Sequence, residues 1–404
     1  EYVRAIITAY PERHAPLVVK LTPNVPDIAD IAEAVIKAGA DGVSAINTVG
    51  PKLYTEPHSG APILNNKLGG KGGASGEWVK EEAIKAIRSI RERIGDDPII
   101  LGMGGVSSAE DARRMVEAGA DSVGIGSAIS RVHPKDWEAF FSSVKNGGDS
   151  SLYLSAENAL EYTPHKIVKK ELYGDDVAVF TVDGKSHAEP GEFMFIWVPG
   201  MGEKPFSVAV NDPLTFLIKK RGQFTSDLFT LGVGDTIYTR GLYGSPMVYE
   251  KTKKALLIGG GTGAAVLPLI AERLSKDGTE MDIRVGVVKL AECKEPLEDV
   301  LSSYGAFRAV ADDGKPGRVL DTISPSDLSG DTALYVVGPG KMMEGAARKA
   351  EEMGLSDERI YLSMEKNTMC GIGMCGECVC GSHLPCKEGT FFTWKTLKEN
   401  NVAL

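Results

Sequence analysis

Four of the six cysteines in this 404-residue chain, Cys370, Cys375, Cys378 and Cys386, follow one another at spacings x4, x2 and x7. Thiols packed this closely can ligate iron–sulfur, ligate zinc or form disulfides. The run C-x4-C-x2-C closed by a later cysteine is a spacing that holds a [2Fe–2S] cluster, where four thiolates must reach two neighbouring irons. A zinc site usually carries two C-x2-C knuckles, and here only Cys375 and Cys378 form one. A disulfide framework belongs to an oxidising compartment, and the chain shows no signal-peptide pattern. Gly371, Gly373 and Gly376 suit a loop that turns tightly and aims backbone N–H groups at sulfur. Only one residue separates Cys380 from Cys378, too near for a further ligand, so Cys380 and Cys293 are expected to be ordinary thiols. The four-cysteine set reads as a [2Fe–2S] metal site.

Glycine clusters offer a second chemistry, the binding of phosphate. In Lys254-Ala-Leu-Leu-Ile-Gly-Gly-Gly-Thr-Gly263 an apolar run enters a glycine loop, and a helix is expected over 264–275. That arrangement meets a nucleotide pyrophosphate with a helix N-terminus. Gly259, Gly260, Gly261, Thr262 and Gly263 are the candidate contacts, although Ala265 and Val266 stand where a strict G-x-G-x-x-G places its third glycine. A second loop, Val337-Gly-Pro-Gly-Lys-Met-Met343, offers Gly338 and Pro339. Upstream stand Lys204-Pro205-Phe206-Ser207, Gly222-Gln223-Phe224-Thr225-Ser226, Gly232-Val-Gly-Asp235 and Gly241-Leu-Tyr-Gly244. Near the N-terminus, polar residues and glycines recur just after short apolar runs: Lys20 with Asn24, Asn47 with Thr48, Gly104 with Gly105, Gly126 with Ser127. Taken singly, each of these is an ordinary turn, cap or solvated charge. Their order is what points to sites.

The elements that must position these residues change in texture along the chain. Over 1–145, short apolar runs at 17–21, 42–46, 99–101 and 122–125 alternate with helical patterns at 27–38, 78–94 and 108–118. Ala38-Gly-Ala-Asp-Gly42 and Ala118-Gly-Ala-Asp-Ser122 repeat one design, a helix end, a glycine C-cap and a strand. Polar residues at the strand C-termini of such a (β/α) repeat mark a site, and glycines after its last strands a phosphate cradle. Residues 146–157 read as a polar linker. Alternating segments at 166–171, 177–182, 193–198 and 214–220 then suggest a small antiparallel barrel, followed by a βα series at 281–289, 306–311 and 333–338. The net charge of −10 argues against a nucleic-acid partner. No apolar run is long enough to span a bilayer, so no membrane partner and a cytoplasmic, reducing setting are expected.

Two resemblances add to this reading. Val19-Lys-Leu-Thr-Pro-Asn24, Ile46-Asn-Thr48, Gly72-Gly-Ala-Ser-Gly76, Gly102-Met-Gly-Gly-Val106 and Gly124-Ile-Gly-Ser127 together resemble the C-terminal half of a class 1 dihydroorotate dehydrogenase. The resemblance implies that Lys20 contacts FMN, that Asn47 and Thr48 bind the pyrimidine, and that Gly76, Gly104, Gly105, Gly126 and Ser127 belong to the FMN loops. The family's first half has no counterpart here, nor does its base cysteine, since the earliest cysteine is Cys293. No catalytic residue is therefore assigned. FMN binding is expected only if the barrel is completed, by dimerisation or by the missing half. The chain begins Glu1-Tyr2-Val3 and is read as a fusion remnant or as having lost an N-terminal piece.

From residue 158 on, the chain resembles the electron-transfer subunit of class 1B dihydroorotate dehydrogenase, a relative of the ferredoxin-NADP reductases. That resemblance implies FAD held by Lys204, Pro205, Phe206, Ser207, Gly222, Gln223, Phe224 and Thr225, with Lys204 where the family usually has arginine. It further implies NAD at the two glycine loops, and Glu365 beside the flavin. Glu292 offers a ribose contact, and no arginine cluster marks a 2′-phosphate, so NAD is preferred to NADP. The fold expected is multidomain: a partial (β/α) barrel of about four βα units over 1–145 and an antiparallel β-barrel FAD domain over 158–250. An α/β nucleotide-binding domain over 251–360 and a small [2Fe–2S] domain over 361–404 complete it. The expected function is electron transfer from dihydroorotate oxidation through [2Fe–2S] and FAD to NAD+ in pyrimidine biosynthesis. The implied partner is a complete catalytic barrel, in a hetero-oligomer or dimer. The alternatives are a diaphorase serving another redox partner, and a half-barrel kept only for docking or structure.

Overall fold

The computed structural model describes residues 1–132, 136–154, 161–287, 297–312 and 318–404. Chain contacts divide it into two compact units, Glu1–Asn158 and Ala159–Leu404.

In the first unit, β1 (Val18–Lys20), β2 (Gly42–Ala45), β5 (Ile99–Met103) and β6 (Ser122–Gly124) form a parallel sheet in the order β1-β2-β5-β6. Helices Ile28–Lys37, Lys80–Ile94 and Ala109–Glu117 connect the strands, and their apolar faces bury Ala32, Ile87, Ile90 and Met115 against Val43, Ala45 and Ile100. The repeated Ala-Gly-Ala-Asp phrase has a physical basis. Gly39 and Gly119 take positive φ, 101° and 111°, where a helix must turn out. The aspartate that follows ties the next strand in: Asp41 accepts from the Leu17 N–H at 2.6 Å and Arg13 at 2.8 Å, Asp121 from the Ile100 N–H at 2.7 Å and Arg91 at 2.6 Å. A hairpin of β3 (Val49–Leu53) and β4 (Lys71–Ala74) was not expected; it stands outside the parallel sheet. Within the segment read as a linker, Ser150–Tyr153 forms a 3-10 turn, and the Ser150 hydroxyl donates to the Ser107 carbonyl at 2.9 Å.

The second unit carries two sheets. The first is antiparallel and seven-stranded, built from β7 (Thr163–Tyr173), β8 (Val177–Val182), β9 (Phe193–Val198), β10 (Gly202–Ser207), β11 (Val210–Asn211), β12 (Leu214–Lys219) and β13 (Thr236–Tyr243). Its order is β10-β9-β13-β7-β8-β12-β11, and it curls until β10 approaches β12, enclosing Ile167, Phe180, Ile196, Phe216 and Ile237. Pro205 is tolerated because β10 is an edge strand.

The second sheet comprises β14 (Lys254–Gly260), β15 (Glu280–Val287), β16 (Ala306–Ala311), β17 (Thr332–Val337), β18 (Ile360–Ser363) and β19 (Phe391–Thr393), in the order β16-β15-β14-β17-β18-β19. All but β19 are parallel, and one apolar core covers each face, as a doubly wound sheet requires. The direction of winding reverses between β14 and β17, and both glycine loops leave the sheet there. The boundary expected at 361 cuts through this sheet. β19 pairs with β18, and Phe392, Trp394 and Leu397 share a core with Leu362 and Ile360, so burying these apolar side chains joins the tail to the sheet. Among the described residues no helix is long and apolar enough to cross a membrane.

Candidate functional site

The cysteine loop, 370–386, packs against the curled sheet. Cys378 and Cys386 are buried with Phe193, Phe195, Tyr243 and Ile372, Cys370 is half-buried against the same group, and Cys375 is exposed. The Sγ atoms of Cys378 and Cys386 lie 3.2 Å apart, and the Ile372 N–H donates to the Cys370 sulfur at 3.4 Å. All five described cysteines are free thiols, and Cys293 lies outside the described residues. The thiol of Cys386 and the N–H groups of Cys375 and Ile372 draw Cys370 toward the thiolate, and Cys386 is pushed up in return. One shared proton is how close sulfurs avoid stacking negative charge. Iron would replace that proton and let all four ionise.

The donor set is four cysteine thiols, of which only Cys375 and Cys378 form a C-x2-C knuckle, so it fits a [2Fe–2S] cluster, which takes two thiolates on each iron. Cys380 faces elsewhere: it is buried in the core of the α/β sheet, where burial pushes its thiol up, and its backbone pairs with His383.

Beside the thiols opens a cleft of about 480 Å³. Lys204, Pro205, Phe206 and Ser207 of β10 line one part of it, together with Lys219, Arg221 and Thr225. Thr262 and Ala265 reach it from the glycine loop, and 364–368 and Thr390 from the other side. The Arg221 and Gly222 N–H groups both donate to the Thr225 hydroxyl, which fixes that corner. Of the expected motif Gly222 to Thr225, only Thr225 lines the cleft. Gln223 is exposed and turned to Asp227, and Phe224 is a core residue 6.2 Å from Phe206, ring to ring. Four cations (Lys204, Lys219, Arg221, Lys366) face one carboxylate, Glu365, so the cleft suits an anionic dinucleotide. Glu365 is reached by solvent yet sits deep in the cleft; that enclosure raises its carboxyl, with Arg221 opposing. Phe193 and Pro385 line the cleft, while Phe193 and Cys386, the neighbour of Pro385, belong to the thiol pocket. The two sites share a wall.

The glycine loops meet at the winding reversal. A Cβ on Gly263 would stand 2.5 Å from the Val337 carbonyl, and one on Gly338 3.1 Å from Gly260 Cα. Pro339 packs on Gly260, and Gly261 takes φ 55° facing open space. The expected turn and helix are resolved into a 3-10 turn, Gly261–Val266, and a helix, Leu267–Lys276, with Pro268 in its first turn. Glu292, the expected ribose contact, lies outside the described residues.

In the first unit, the expected residues gather at the C-terminal ends of the strands. A Cβ on Gly105 would meet the Gly76 carbonyl at 2.7 Å, and one on Gly76 would stand 3.7 Å from Ser127. Gly76, Gly104 and Gly105 all take positive φ, and Ser127 donates to Ser75 at 3.1 Å. Thr48 closes on Gly73 and its carbonyl accepts from Asn24 at 2.9 Å; the Asn47 carboxamide accepts from the Thr48 N–H. Lys20 is exposed at the end of β1, and Gly126 precedes the turn Ser127–Arg131. Sequence reasoning missed Phe193, Arg221 and Thr390 at the cleft and, at the thiols, the buried Arg240 with its half-buried partners Tyr162 and Glu203. None carries a local signature.

A family model for dihydroorotate dehydrogenase matches residues 2–144. Two proteins called probable dihydroorotate dehydrogenase B (NAD(+)), electron transfer subunit, are similar. That of Pyrococcus horikoshii is 34% identical over 235 residues, 56% of this chain and 88% of that protein. That of Methanocaldococcus jannaschii is 31% identical over 231 residues, 55% and 86%. The solved NADH-dependent reduced ferredoxin-NADP oxidoreductase, described for flavin-based electron bifurcation, aligns with a TM-score of 0.51 at 26% identity, over 58% of this chain and 92% of that one. The chain belongs to the family of dihydroorotate dehydrogenase B electron transfer subunits, and carries in addition a segment of dihydroorotate dehydrogenase type.

Proposed function

We propose that this chain carries electrons between dihydroorotate oxidation and NAD+ in pyrimidine biosynthesis. The observation that carries the reading is the shared wall of Phe193 and Pro385–Cys386, which sets a cationic dinucleotide cleft against the thiols of Cys370, Cys378 and Cys386. The bound groups supply the redox chemistry: a nicotinamide exchanges electron pairs, a [2Fe–2S] cluster single electrons, and a flavin either. The protein's own residues position these groups. Cys370, Cys375, Cys378 and Cys386 hold the cluster; Lys204 to Ser207, Arg221 and Thr225 hold FAD; the loops at 259–263 and 338–339 admit NAD. The buried rings of Phe193, Phe195 and Tyr243 cover the Cys378 and Cys386 side of the thiol site, while Cys375 stays exposed. In the first unit, Lys20 and the glycines at 76, 104, 105 and 126 with Ser127 form an FMN cradle, and Asn47 and Thr48 a pyrimidine site, once a complete barrel surrounds them. A separate catalytic subunit is the partner that supplies one.

A second reading is favoured by one observation: every residue of the cleft and thiol pocket belongs to the second unit. That unit alone would serve as an NADH-linked electron carrier for another partner. An anaerobic absorbance titration separates the two. NADH is expected to bleach both the flavin and cluster bands. Bleaching by dihydroorotate after a complete catalytic barrel is added supports the pyrimidine reading; no response to dihydroorotate with that barrel present rejects it.

A further inference from the structure

Arg240, on β13, is only 3% exposed. Its guanidinium holds Glu203 of β10 with two bonds, Nε to Oε2 at 2.7 Å and Nη2 to Oε1 at 2.6 Å, and the Tyr162 hydroxyl donates to the same carboxylate at 2.8 Å. The opposite nitrogen is spent on the cysteine loop. Nη1 donates to the Cys370 carbonyl at 3.0 Å and to the Tyr243 hydroxyl at 2.7 Å, and Nη2 reaches the Met369 carbonyl at 3.4 Å. The guanidinium carbon lies 3.9 Å from the Phe195 ring centroid. A guanidinium keeps its proton in proteins, so this is a fixed positive charge.

Stability alone is a weak reason for this arrangement, since an ion pair with a buried arginine commonly contributes no more than an apolar side chain of the same volume. Its geometry is specific in another way. A fixed positive charge is delivered to the backbone of the first cysteine of the ligand set, from a residue 130 positions away in sequence. Its counter-charge is held on the other edge of the guanidinium.

We propose that Arg240 is a positioning residue for the [2Fe–2S] site, fixing the backbone at Met369 and Cys370 and raising the reduction potential of the cluster. This rests on the cluster reading given above. The sign follows from charge: reduction adds an electron to the cluster, and a nearby cation stabilises the more negative state. Outer groups that orient metal ligands typically change metal retention about 10–100-fold when removed.

The test is EPR-monitored potentiometry and chelator-driven iron release on the full chain and its variants. Arg240→Met should shift the midpoint potential to more negative values and release iron about tenfold faster. Glu203→Gln, which keeps the arginine but removes its counter-charge, should shift the potential the opposite way. Arg240→Lys should keep the potential near that of the parent but lose iron faster, because the fork is gone. Opposite shifts are what a merely structural arginine would not produce. Equal potentials and equal iron release in parent and Arg240→Met, or shifts of one sign in the Met and Gln variants, overturn the proposal. Should Arg240→Met fail to fold, Glu203→Gln decides alone: a potential at or below the parent's overturns it. A parent chain that holds no EPR-active cluster after anaerobic reconstitution overturns the cluster reading itself, and this inference with it.

Discussion

Glu56 shows how much a single residue can hold. Its side chain is 1% exposed, and its carboxylate accepts from the His58 N–H at 2.9 Å and ring at 2.6 Å, and from the Ser59 N–H at 2.7 Å and hydroxyl at 2.8 Å. Burial pushes the carboxyl up, but these bonds outweigh it and bring it from 4.5 down to about 2. A carboxyl depressed by folding contributes stability above its unfolded value and loses it as pH falls through the folded one. The loop over 54–62 should therefore loosen between pH 4.5 and about 2. Glu56→Gln should cost the first unit about 1–3 kcal/mol at neutral pH and flatten that part of its stability profile. Urea unfolding at several pH values checks this; an unchanged slope between pH 4.5 and 2 in the variant would remove the carboxylate from the account. Local residues of this kind were as hard to anticipate as Arg240. The cysteines could be read because their spacing along the chain is their chemistry. Arg240 could not, since its partners lie 37 and 130 positions away and only the fold brings them together.

At the scale of elements, the parallel strands and their helices could be read because their period and caps are local. The strands β7, β8, β9 and β12 could be read as short apolar, β-branched and aromatic runs bounded by turn residues. Only β7 alternates in part, while β8, β9 and β12 are buried nearly throughout, so the alternation expected there was not the signal. The hairpin of β3 and β4 could not: Lys71-Gly-Gly-Ala74 carries no strand preference and becomes a strand only through its partner. β19 and its helix were assigned to a separate domain for a similar reason, since the pairing that places them joins Phe392 to Leu362. The glycine loop gives the sharpest element-level prediction. Gly263 has an ordinary φ, so alanine there is opposed only by contact, with the Val337 carbonyl at 2.5 Å and Gly338 Cα at 2.8 Å. Backbone cannot swing aside as a side chain can, so Gly263→Ala must lift the 261–266 turn off β17. Such overpacking costs about 1–3 kcal/mol, and the Kd for NADH should rise about tenfold or more. Fluorescence titration with NADH reads it; an unchanged Kd would mean that this loop does not meet the nucleotide.

The whole molecule is two units, each with a core of its own. Ile87, Ile90, Ile100 and Met115 are sealed within the first, while the second buries three large sets around Leu257, Leu334 and Phe216. Cooperativity follows shared packing, so two transitions are expected on heating or in urea instead of one. Every lining residue of the cleft belongs to the second unit, so FAD should stabilise that transition alone. At a ligand concentration of about 100 Kd the gain is about 2.7 kcal/mol. The first unit's transition should stay in place, because nothing in 1–154 lines the cleft. Differential scanning calorimetry of the full chain with and without FAD tests both halves of the argument. A single transition that moves as a whole with FAD would mean that the two units unfold together and would overturn the division into independent cores.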